Sequence, residues 1–84
     1  MRVAKAKIFE VLKNCLEDRF SSFETSVNQR LAVLNLYSIL DKMDEIIHMA
    51  FEFEKNGIIT HQQYCDLHDI RKKTLKYTKE EIND

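Results

Sequence analysis

Residues 33–57 read VLNLYSILDKMDEIIHMAFEFEKNG. Within this stretch Leu36, Leu40, Met43, Ile47 and Ala50 recur at alternating steps of four and three. That spacing places them on one face of an α-helix. Ile39, Ile46 and Phe53 widen the face on one flank, and Val33, Tyr37 and Phe51 widen it on the other. So broad a face asks for neighbours on more than one side. Gly57 is the sole glycine of the chain and stands where the pattern stops. Glycine enters the left-handed conformation of a helix C-terminus without a Cβ clash. The stretch therefore reads as a central helix around which the rest packs.

The chain has 84 residues, no proline, 44% hydrophobic residues and 32% charged residues. That mixture belongs to a folded chain, and the scarcity of turn formers predicts few, long helices. The length predicts a single helical domain over 1–84, with 79–84 a frayed tail. The formal net charge is −1, which does not call for a polyanionic partner. Residues 1–20 lean basic and residues 21–56 lean acidic. Cys15 and Cys65 are too few for a disulfide framework. No apolar run is long enough to span a bilayer, and charges interrupt the segment after the basic start. A cytoplasmic protein with reduced thiols is the expectation.

A first helix is expected over Val3–Phe20, with Ile8, Val11, Leu12, Cys15 and Leu16 as its apolar side. Ser21 and Glu24 have the spacing of a capping box, as do Ser26 and Gln29. The second helix is thus predicted to begin near Ser22 or Val27 and to end at Lys55. Its early part carries Phe23, Val27, Leu31 and Leu34, a stripe opposite Leu36, Leu40 and Met43 on one straight helix. Either the helix breaks near Arg30 or its two halves serve different partners. The second option predicts a homodimer in which long helices pair. Thr60 and Gln63 form a further capping box and open a third helix over His61–Tyr77. Breaks are expected near Phe20–Phe23 and at Asn56–Ile59. The fold class that results is all-α: a three-helix antiparallel arrangement around one long central helix, assembled as a helical-bundle dimer.

Gly57-Ile58-Ile59-Thr60, then Tyr64 and Arg71-Lys72-Lys73, resemble the core of short C-terminal (SHOCT-type) helical hairpins. The resemblance covers residues 53–73 and implies helix packing and self-association, not catalysis. In general look the lysine-, glutamate- and isoleucine-rich chain is also similar to small accessory proteins of phages and mobile elements.

His61, Cys65 and His68 share a helix face, and imidazole and thiolate suit zinc. His48 or Cys15 are the candidate fourth ligands. Without a paired Cys-x-x-Cys they are expected not to bind metal, and no cofactor is expected. Glu45-Ile46-Ile47-His48 matches half of a di-metal helix motif, but such sites need two copies. Glu45 and His48 are read as solvated. A single glycine rules out a glycine-rich phosphate loop. No nucleophile stands beside a base at a telling spacing, so a non-enzymatic protein is expected.

Two surfaces remain as candidates. Phe23, Val27, Leu31 and Leu34, with the acidic Asp41, Asp44 and Glu45, are the expected partner-binding residues of a small protein-interaction module, a regulator or inhibitor. Arg71, Lys72, Lys73 and Lys76 are the alternative, a basic cluster for nucleic-acid phosphates.

Overall fold

The computed structural model describes the backbone of residues 5–30 and 33–82, with side chains at 7–30 and 34–76. All regular structure among these residues is helical: α1 (Lys5–Asn28), α2 (Val33–Lys55) and α3 (His61–Ile82). Each helix packs against both others.

The first break is not at Phe20–Phe23. α1 runs through Ser21 and Glu24 and ends at Asn28. The reason is burial. Leu12, Leu16, Phe23 and Val27 lie on one side of α1, and all four are buried. Each such side chain gains roughly 1.5–3 kcal/mol by leaving water. Keeping Ser21, Ser22, Thr25 and Ser26 helical costs at most about 0.7 kcal/mol each. Ser26, buried among them, accepts a hydrogen bond from Asn35 Nδ2 at 3.1 Å.

The chain turns instead at Gln29 and Arg30. Arg30 takes φ +54°, and its amide donates to the Val27 carbonyl at 3.0 Å. Of the two solutions left open by the opposed stripes, a break near Arg30 is the one adopted. Phe23 and Val27 therefore do not lie on the early part of a long helix. They sit on α1 and meet Leu36 and Leu40 of α2 in one apolar cluster.

A larger cluster draws on every element: Leu12 and Leu16 from α1, Met43, Ile46 and Ala50 from α2, Ile59 from the turn, and Leu67 and Ile70 from α3. The central stripe of α2 is thus core at Leu36, Leu40, Met43 and Ala50, with Ile47 half-buried. The Ile39 and Ile46 flank is covered, whereas Tyr37 and Phe51 on the other flank are exposed. Leu31 lies outside the described residues.

The second break is where Gly57 places it. Gly57 has φ +74°. Its amide donates to the Glu54 carbonyl at 3.0 Å, and the Ile58 amide donates to the Phe53 carbonyl at 2.8 Å. These are the paired bonds of a Schellman motif. Ile58 and Phe53 both pack on the main core, the apolar contact that accompanies such a stop. Thr60 and Gln63 then open α3. The Gln63 amide donates to Thr60 Oγ1 at 3.0 Å, and the Thr60 amide donates to Gln63 Oε1 at 2.9 Å. α3 continues past Tyr77 to Ile82, into the stretch expected to fray.

Candidate functional site

The residues singled out for function separate into three groups. Phe23 and Val27 spend their apolar surface inside the chain, at 0% and 9% exposure. They are core side chains, because the break at Arg30 sets α1 against α2. Leu34 is the opposite case, at 81% exposure.

Asp41, Asp44 and Glu45 are exposed on α2, beside an open depression that His48 and Met49 also line. Asp44 is not idle there. Arg71 of α3 donates from Nε to Asp44 Oδ1 at 2.7 Å and from Nη2 to Oδ2 at 3.4 Å. Arg71 Nη1 also donates to Thr74 Oγ1 at 2.6 Å, and that hydroxyl donates to the Arg71 carbonyl at 2.7 Å. Arg71 thus bridges α3 to α2. Lys73 stands 5.9 Å from the centre of the Phe20 ring of α1, within cation–π range. Of the expected basic cluster, Arg71 pairs across to α2, while Lys72, Lys73 and Lys76 are all exposed.

The third group sits on the first turns of α3. Tyr64 stacks near His61 at 6.4 Å between ring centres, lies 6.0 Å from His68, and meets Phe51 of α2 edge-on at 6.2 Å. Among the described residues no three His, Cys, Asp or Glu side chains gather to hold a metal ion.

What does gather is a relay that spacing alone had not revealed. His61 Nδ1 lies 2.5 Å from Glu54 Oε1, and His61 Nε2 lies 3.5 Å from Cys65 Sγ. His61 thus bridges the Glu54 carboxylate and the Cys65 sulfur through its two ring nitrogens. His61 and Cys65 are one helical turn apart, which the sequence showed. Glu54 belongs to the last turn of α2, and the Schellman turn is what folds it back onto α3. The usable signal was the strength of the stop at Gly57 together with the start at Thr60. A connection that short brings the last turn of one helix beside the first turn of the next.

No protein family, curated protein or solved structure matches the chain. Among the described residues no helix is long and apolar enough to cross a membrane.

Proposed function

We propose that the chain is a small non-enzymatic protein-interaction module, a regulator or inhibitor, which docks a partner on the outer face of α2. The observation that carries this reading is what the face displays. Leu34, Tyr37 and Met49 are 81%, 44% and 46% exposed. Asp41, Glu45 and Glu52 lie among them, also exposed. At about 100° per residue all six fall within a strip roughly 120° wide. A run of acids bracketed by large apolar side chains suits a basic amphipathic helix, whose apolar residues gain by burial and whose charges steer the encounter.

In this reading the three helices run antiparallel. The pairing of Ser26, late in α1, with Asn35, early in α2, supports that order. So does the pairing of Asp44 with Arg71, each near the middle of its helix. Two copies close on each other when no other partner is present, with Lys72 and Lys76 of one copy set against the acids of the next. The homodimer thus rests on the outer face of α2 and not on Phe23 and Val27.

Capture experiments with the wild type and with a Tyr37→Glu/Met49→Glu variant test the face, with helicity checked by circular dichroism. A protein held by the first and lost from the second is the expected result. Identical captured sets would remove the face from the proposal. Sedimentation at micromolar concentration tests self-association, and a mass of 10.0 kDa throughout would remove the dimer.

A further inference from the structure

We infer that Cys65 is a built thiol-exchange site, with His61 as its base and Glu54 as the residue that positions His61. The class of co-reactant is a low-molecular-weight disulfide of an amino-acid-like thiol. The reacting groups Glu54, His61 and Cys65 are not among the residues of the proposed docking face, and of the lining only Lys72 also belongs to the proposed self-association contact.

Three observations carry it. The first is the relay itself: Glu54 Oε1, His61 Nδ1, His61 Nε2 and Cys65 Sγ follow one another at 2.5 Å and 3.5 Å. A nucleophile within reach of a base, itself oriented by a third group, is the arrangement that activates weak nucleophiles. The second is its support. His61 is 79% exposed, whereas Glu54 is 24% exposed and anchored in α2. The carboxylate fixes both the ring's position and its tautomer, which aims the lone pair of Nε2 at the thiol. The third is access. Cys65 is partly exposed and opens onto a shallow depression lined by Tyr64, His68, Asp69 and Lys72. Asp69 and Lys72 place one carboxylate and one ammonium on the lining of that depression. They complement the ammonium and carboxylate of an amino-acid-like disulfide.

His61 Nε2 takes the proton of the Cys65 thiol. The Cys65 sulfur attacks one sulfur of the incoming disulfide, and a new S–S bond forms as the old one breaks. The departing sulfur keeps the electron pair of the broken bond and takes the proton back from the imidazolium. A free thiol leaves, and Cys65 remains as a mixed disulfide. Cys65 is oxidised while one half of the small disulfide is reduced.

Cys15 supplies an internal reference. It is exposed, whereas Cys65 is only partly so, and accessibility alone would make Cys15 the faster thiol. Oxidised glutathione is the probe, with the adduct at each cysteine followed by mass spectrometry at pH 7. At that pH an unassisted thiol is mostly protonated, while an ordinary imidazole is mostly neutral and can accept its proton. Cys65 is expected to react about tenfold faster than Cys15 or more. His61→Gln and Glu54→Gln should each slow Cys65 toward the rate of Cys15, while leaving Cys15 and the helix content unchanged. The proposal is overturned if Cys65 reacts no faster than Cys15, or if either variant leaves its rate as it was.

Discussion

Asp44 of α2 and Arg71 of α3 grip each other through two hydrogen bonds, 27 residues apart in the chain. One belongs to the acidic surface of the chain and the other to its basic cluster. Arg71 is 18% exposed and Asp44 is 57% exposed, so water screens the pair from one side. Half-open pairs of this kind contribute about 0.2–1 kcal/mol. A double-mutant cycle on Asp44→Ala and Arg71→Ala should return a coupling within that range, and weaker in high salt. Arg71→Ala should cost more than Asp44→Ala, since it also removes the donor to the buried Thr74 hydroxyl. A coupling of zero would show that the pair does not hold α3 to α2, and equal single costs would show that the Arg71–Thr74 bond adds nothing.

The two turns call for opposite substitutions. Arg30 occupies the left-handed region with a full side chain, a conformation that costs roughly 1–2 kcal/mol outside glycine. Arg30→Gly should therefore stabilise the protein, by about 0.5–1 kcal/mol once the freer unfolded chain is counted. At Gly57 an added Cβ would meet nothing within 4 Å. Gly57→Ala should still lose roughly 1 kcal/mol, all of it from the backbone. Urea melts read both, and a destabilising Arg30→Gly would contradict the assigned turn.

Met43 is fully buried and Leu40 is 7% exposed. They belong to different clusters, so their truncations test the two halves of the core separately. Each change to alanine should cost about 2–5 kcal/mol. A shift under about half a kcal/mol, within the range of surface changes, would mean that the corresponding cluster does not form.

Thr60 caps α3 through its hydroxyl. Thr60→Ala should lose about 1 kcal/mol, while Thr60→Ser should lose much less, since serine retains the acceptor. Matching losses for the two variants would show that the hydroxyl is not the capping group.

Much of this architecture is visible in residue spacing, and the exceptions share a cause. The stripe of α2, the stop at Gly57 and the Thr60/Gln63 cap are local patterns with local consequences, and each appears in the structure. Ser21 and Glu24 have the same capping spacing, yet they lie in the middle of α1. No helix stop precedes them, and the stripe from Leu12 to Val27 runs through them. A cap pattern offers an alternative to the helix; long-range burial decides whether the chain takes it. The opposed stripes offered a break near Arg30 as one of two solutions, but the residue type gave no sign of the left-handed turn, for which arginine has no preference. The relay at Cys65 was half legible. His61 and Cys65 stand four apart, but Glu54 joins them only through a turn that reverses the chain. Asp44 and Arg71 were each visible as charges, and neither betrayed that the other was its partner.

The two joints of the fold are unequally made. Between α2 and α3 the chain is held by a glycine stop, a reciprocal cap and the Glu54–His61 bridge. Between α1 and α2, among the described residues, it is held by the Ser26–Asn35 bond and a left-handed arginine. Packing does not follow the joints: α1 supplies Leu12 and Leu16 to one cluster and Phe23 and Val27 to the other. It cannot leave without opening both clusters, so the three helices should exchange as one cooperative unit. A released α1 would uncover Leu36, Leu40 and Met43 together. The α1 of another copy could fill that gap with the same side chains, and this gives the chain a route to domain-swapped assembly.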